Sequence, residues 1–118
     1  MDNRKTGTKY EELAANKLKE EGYEILEMNY RCRIGEVDII AKDKEYLVFV
    51  EVKYRKTSKA GMPQEAVNYK KQKKISATAA YYLMSHHYRD DVSVRFDVVS
   101  VLSNEVEIIK NAFPYCFG

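Results

Sequence analysis

The chain is poor in cysteine: Cys32 and Cys116 lie far apart, and neither belongs to a CxxC motif or a Cys/His cluster. That excludes a sequence-encoded zinc site or disulfide framework and points to a reduced, cytoplasmic setting. No apolar run approaches the roughly 18 residues needed to cross a bilayer, and the amino terminus MDNRKTGTKYEELA is polar, so neither membrane insertion nor secretion is expected. Charge of one sign is not in excess either. Twenty Lys and Arg against 18 Asp and Glu leave a net +2, too little to announce a nucleic-acid binder through bulk electrostatics. Internal repeats and low-complexity segments are missing as well.

What is present is a mixed pattern, 45% hydrophobic and 32% charged over 118 residues, which suits one globular domain folding alone or as a homo-oligomer. The expected domain is 1–118, with flexible ends at 1–6 and 115–118. Basic residues gather in three places: Arg31 and Arg33; Lys53, Arg55, Lys56 and Lys59; and the run YKKQKK, which holds Lys70, Lys71, Lys73 and Lys74. Each cluster alone suits a solvated face.

Hydrophobic spacing places the elements. Tyr10, Leu13, Ala14 and Leu18 recur at helical intervals, and Gly22 stands where a C-terminal cap belongs. Strands are expected over Tyr23 to Arg31, Glu36 to Ala41 and Tyr46 to Tyr54, with a hairpin loop at Lys42 to Glu45. The continuous YLVFV run predicts a central strand covered on both faces. Arg55 to Pro63 reads as a mobile loop, and a long helix is expected from about Gln64 to Ser85. The alternating VSVRFDVVSVL, turned by Ser103 and Asn104 into EVEII, predicts a final hairpin. The order α-β-β-β-α-β-β is an α/β architecture on a mixed five-stranded sheet flanked by helices.

Charges interrupt these apolar strands at fixed places. Period two puts Glu36, Asp38 and Ile40 on one side of the second strand, and Leu47, Phe49, Glu51, Lys53 and Arg55 on one side of the third. On the first helix Glu11 falls close to the middle of the apolar stripe, whereas Glu12 sits nearer its edge. An ionised carboxylate there needs a cation or a strong hydrogen-bond partner.

Such a set has a chemical use. Carboxylates, a backbone carbonyl and waters are the hard oxygen ligands that Mg²⁺ prefers, and a neighbouring ammonium can stabilise charge growing on a phosphate. The same V-E-V-K pattern also suits the wet face of an amphipathic strand whose Glu and Lys screen each other. Glu36 can act as an additional ligand or second-layer group, or it can pair with Arg33 or Lys53.

The segments GEVDIIA, VFVEVKYR, GMPQEAV with Lys71, RFDVV and NAF, in order from about Gly7 to Phe113, resemble the bacterial UPF0102, or YraN-like, family. The resemblance implies a restriction-endonuclease-like fold of the PD-(D/E)xK class, close to archaeal Holliday-junction resolvases. It places the motif acids on Asp38 and Glu51, the lysine on Lys53, the helix-one acid on Glu11, and a backbone metal ligand on the Val52 carbonyl. Tyr10 departs from the small residue that the family often has before that helix-one glutamate.

The function expected from this is Mg²⁺- or Mn²⁺-dependent hydrolysis of phosphodiester bonds, with branched or flapped DNA as the expected substrate. Arg55, Lys56, Gln64, Lys70, Lys71 and Lys74 are the candidate nucleic-acid contacts, and a homodimer would present two sites to two strands. Two alternatives stay open: a binding module on the same scaffold that no longer hydrolyses, and a structural protein in which the four charges form only an ion network.

Overall fold

The computed structural model describes residues 3–55, 67–103 and 105–115, with residues 3–8 by backbone alone. The elements are α1 (Asn3–Glu20), β1 (Glu24–Arg31), β2 (Glu36–Asp43), β3 (Tyr46–Arg55), α2 (Tyr69–Ser85), β4 (Ser93–Leu102) and β5 (Glu105–Ile109). The five strands form one sheet in the order β1-β2-β3-β4-β5. Every neighbouring pair is antiparallel except β3 and β4, which run parallel and are joined through α2. This is the α/β order expected from hydrophobic spacing.

Alternation along β3 splits the core into two layers. Leu47 and Phe49 pack with Ile40, Phe96, Val98, Ile75, Ala79 and Tyr82 beneath α2. Val48 and Val50 pack with Ile39, Val99 and Val101 against Ala14, Ala15 and Leu18 of α1. β3 is therefore the covered central strand that YLVFV announced. Full burial of each such aliphatic or aromatic side chain contributes about 1.5–3 kcal/mol.

Several boundaries differ from expectation for local reasons. α1 ends as foreseen, since Gly22 takes φ +93° and the N–H of Tyr23 donates to the Leu18 carbonyl at 2.9 Å. α2 starts at Tyr69 rather than near Gln64, because Asn68 is its N-cap: the Asn68 side-chain oxygen accepts from the Lys71 N–H at 2.9 Å. Val67 is buried just before it. β2 runs on to Asp43, leaving Lys44 and Glu45 as the turn, with Lys44 at φ 55°. Of the expected loop and its flanks, Lys56, Lys59 and Gln64 lie outside the described residues, as do Asn104 and Cys116.

Candidate functional site

The β2–β3 ladder is where the site begins. Its pairing runs from Asp43↔Tyr46 to Ile39↔Val50 and stops there. One rung further along the same register, Asp38 stands opposite Glu51. Two like charges on facing positions repel, and the backbone does not close that rung. Instead, the Val52 N–H donates to Asp38 Oδ2 at 2.8 Å, a side chain taking the place of a strand partner. In an extended strand the N–H and C=O of one residue point to the same side. The Val52 carbonyl therefore also faces the Asp38 side, past the end of the ladder.

Glu51 is buried and Asp38 half-buried. Burial first, and then the Glu51 charge, push the Asp38 carboxyl up to about 7, and Glu11 adds to the rise. The Val52 hydrogen bond and Lys71 work in the opposite direction without cancelling it. Two partly desolvated carboxylates that repel each other this strongly form a site that gains from taking up a cation.

Two ammonium groups already flank Glu51. Lys71 Nζ lies 2.6 Å from Glu51 Oε1, and Lys53 Nζ lies 3.8 Å from the same oxygen. Burial works to lower the pKa of both lysines. For Lys53 the adjacent Lys71 charge lowers it further, whereas for Lys71 the hydrogen bond and charge of Glu51 outweigh burial and leave it raised. Lys53 is the partner that period two placed beside Glu51, while Lys71 arrives from α2.

Glu11 stands on α1, which covers the opposite layer, and is half-buried between exposed Glu12 and buried Ala14. Among the described residues, no three His, Cys, Asp or Glu side chains gather into a metal-ligand set. Glu11 therefore acts on Asp38 through its charge. Tyr10, beside it, stacks on Tyr54 at the end of β3 with ring centroids 3.9 Å apart, which fastens this end of α1 to the strand that carries Glu51 and Lys53.

Glu36 pairs with neither Arg33 nor Lys53. Its cross-strand neighbour is Arg31, and Arg31 Nε lies 3.1 Å from Glu36 Oε2 in an exposed ion pair. Arg55 is half-buried at the end of β3, on the face of Glu51 and Lys53. Lys56 and Gln64 belong to the stretch outside the described residues.

A cavity of about 590 Å³ opens over the two carboxylates. Arg31, Cys32, Gly35 and Glu36 of the β1–β2 turn form one wall, and Asn68, Lys70, Lys71, Lys74 and Ile75 form the other. The turn is closed by the Cys32 N–H donating to the Gly35 carbonyl at 2.9 Å. Gly35 is the residue that lets turn and helix meet, since a Cβ there would stand 2.8 Å from Thr78 Oγ1 and 3.3 Å from Lys74 Cγ.

The chemistry of the donors fits a hard divalent cation. Asp38, Glu51 and the Val52 carbonyl offer oxygen and no sulfur or imidazole, a set suited to Mg²⁺ or Mn²⁺ supplemented by water, and unlike the nitrogen and sulfur donors that zinc favours.

A second polar centre went unassigned in the sequence. Arg95 Nη2 donates to Asp43 Oδ2 at 2.8 Å, to Asp97 Oδ2 at 2.9 Å and to the Tyr23 hydroxyl at 2.9 Å, while its Nε donates to Asp97 Oδ1 at 2.9 Å. Tyr23 donates to Asp97 Oδ2 at 2.7 Å, and the Asn111 N–H donates to Asp97 Oδ1 at 2.9 Å. Both Asp97 oxygens are thus satisfied, and this cluster ties β2 and β4 to the β1 entry and the end of β5.

The model of the family described as "Uncharacterised protein family UPF0102" matches residues 10–101. A UPF0102 protein of Lachnoclostridium phytofermentans is 50% identical over 113 residues, covering 96% of each chain. One of Syntrophus aciditrophicus is 49% identical over 120 residues, covering 98% of this chain and 94% of that one. One of Caldicellulosiruptor bescii is 44% identical over 119 residues, covering 96% of this chain and all of its own. With the family model spanning the whole stretch from the Tyr10 that anchors α1 to the β4 strand beside Glu51 and Lys53, this chain belongs to the UPF0102 family.

Proposed function

We propose that the protein is a divalent-metal-dependent endonuclease that hydrolyses phosphodiester bonds in nucleic acid, with branched or flapped DNA as the favoured substrate class. The observation that carries this reading is the Asp38/Glu51 rung: two carboxylates on one face, a carbonyl past the ladder's end between Glu51 and Lys53, and an ammonium beside them. Asp38, Glu51 and the Val52 carbonyl would hold Mg²⁺ or Mn²⁺. When bound, the metal supplies Lewis-acid polarisation of the phosphate and a more acidic water.

The chain's own groups do the rest. Lys53 directs its ammonium at the edge of the carboxylate pair, where negative charge grows on phosphate oxygens during hydrolysis. Its lowered pKa reflects a cation held partly out of water, where its interaction with phosphate is strengthened. Glu11 adds negative field from α1 and favours cation uptake at Asp38. Arg55 extends the basic edge of the same strand face, and Lys56 and Gln64 are proposed to continue the contact with the phosphate backbone.

The Lys71–Glu51 ion pair favours one competing reading, a site kept for binding without hydrolysis. A cleavage panel of four-way junctions, flaps, nicked duplex and single strands with Mg²⁺ and Mn²⁺ separates the two, run beside Asp38→Ala and Glu51→Ala. Metal-dependent cleavage lost in both folded variants is the expected result. Cleavage that survives both substitutions overturns the assignment.

A further inference from the structure

The YKKQKK run does not present one uniform basic face. Lys71 is taken by Glu51 at 2.6 Å, and Lys73 sits over the Tyr69 ring at 5.7 Å from its centroid. Lys70 and Lys74 remain, one helical turn apart, both exposed and both on the wall of the 590 Å³ cavity. Among the described residues neither has a carboxylate partner. Across the cavity the Arg31–Glu36 pair is internally neutral. Among the described residues the cavity therefore carries two cations without a carboxylate partner beside the carboxylate rung.

The shape is as telling as the charge. The volume falls in the range of pockets that enclose small molecules, about 300–1,000 Å³, which suits a nucleotide or two and not a duplex. On one side the turn and α2 touch: the space for a Cβ on Gly35 is filled by Thr78 Oγ1 and the Lys74 side chain. The cavity is thus bounded on that side by protein. Residues four apart on a helix hold their Cβ atoms about 5–6 Å apart, comparable with the step between successive phosphates along one strand.

Resting on the nuclease reading, we propose that this cavity is the subsite for an unpaired segment of nucleic acid next to the scissile phosphate, with Lys70 and Lys74 holding two successive phosphates of that single strand. Duplex lies outside it. A flap, a frayed end or the unpaired part of a branch supplies such a strand, and this is why those structures are the favoured class of substrate.

The test measures binding without cleavage, by fluorescence anisotropy of labelled oligothymidylate, oligouridylate and blunt duplex of equal length in EDTA, over a series of salt concentrations. The wild-type protein is expected to bind single strands more tightly than duplex. Lys70→Ala with Lys74→Ala weakens single-strand binding on the order of tenfold and reduces the salt slope by about 1.4, the value for two lost phosphate contacts on a single strand. Lys73→Ala, which removes an ammonium lying over a ring, changes either quantity far less. Tighter binding of duplex, or a double variant indistinguishable from Lys73→Ala, overturns the subsite. Thymidylate and uridylate arms of unequal strength distinguish DNA from RNA as its source. Lys70- and Lys74-dependent binding in a protein that never cleaves sinks only the hydrolytic reading, whereas cleavage by a protein whose binding ignores both lysines sinks only the subsite.

Discussion

Lys71 reaches from the first turn of α2 to within 2.6 Å of Glu51 Oε1, so one carboxylate of the rung is neutralised by a helix that meets the sheet from outside the E-x-K motif. The ammonium competes with any cation for that oxygen. Replacing it with a neutral side chain should therefore strengthen metal binding while weakening the metal-free fold.

Lys71→Met is expected to raise Mn²⁺ affinity, measured by calorimetry, on the order of tenfold. In EDTA the same variant should lose only about 1 kcal/mol of stability, since the lysine is 45% exposed and its pairing is screened by water. Unchanged Mn²⁺ affinity would mean that the metal does not use Glu51.

Asp38 gives the metal-free protein a pH dependence of definite sign. The unfolded chain ionises this carboxyl near its ordinary 3.8, whereas burial and the Glu51 charge make the folded protein hold the proton up to about 7. Between those values the folded state binds more protons, so this group's contribution to stability is fully present below about 4 and is lost as pH rises through about 7. The loss is at most about 4 kcal/mol, and less where water reaches the carboxyl. Asp38→Asn, which can still accept from the Val52 N–H, should flatten this slope and raise the melting temperature above pH 7 in EDTA. Destabilisation there would instead favour the structural ion network. In the wild-type protein, Mg²⁺ should stabilise increasingly as pH rises, because proton and metal compete for Asp38.

How much of this could be read in advance differs residue by residue. The shared face of Asp38, Glu51 and Lys53 was legible because strand alternation is strictly periodic, although V-E-V-K alone suits a solvated face as well. Lys71 was legible as a cation but not as the partner of Glu51, because no sequence period fixes how a helix docks over a sheet. Asn68 ahead of YKK is a recognisable N-cap that sets the start of α2 five residues later, at Tyr69. For Glu36 the sequence leaves open a ligand role or a pair with Arg33 or Lys53, and the hairpin register instead sets it against Arg31. The RFD segment was the least legible: alternation sets Val92, Val94, Phe96 and Val98 on one side, and Phe96 and Val98 pack beneath α2. It gave no hint that Arg95 and Asp97, on the other face, are also covered.

That covered pair predicts the largest loss of stability. Asp97 is 0% exposed, and Arg95 holds both it and Asp43. Burial alone would raise the Asp43 pKa, yet the Arg95 hydrogen bond and the Lys110 charge hold it below the ordinary carboxylate range. Its contribution to stability is present above about 4 and is lost as pH falls through that lowered value, opposite in sign to Asp38. Arg95→Ala leaves two carboxylates without their common partner and should cost about 3–5 kcal/mol in urea unfolding. Tyr23→Phe removes one hydroxyl from the cluster and should cost about 1 kcal/mol. Equal effects of the two substitutions would show that Arg95 is not the hub.

Gly35 offers a test of how the β1–β2 turn seats on α2. The position owes its glycine to space, because a Cβ would press on Thr78 Oγ1 at 2.8 Å, and that hydroxyl is itself held at 2.8 Å by donation to the Lys74 carbonyl. Gly35→Ala forces the turn and helix apart, at about 1–3 kcal/mol. Thr78→Ala removes the obstructing oxygen, so the double variant should recover most of that loss in thermal unfolding, a coupling that independent sites would not show. If Gly35→Ala is as stable as the wild-type protein, the turn does not close on the helix as described. The boundary of the single-strand cavity would then fall with it.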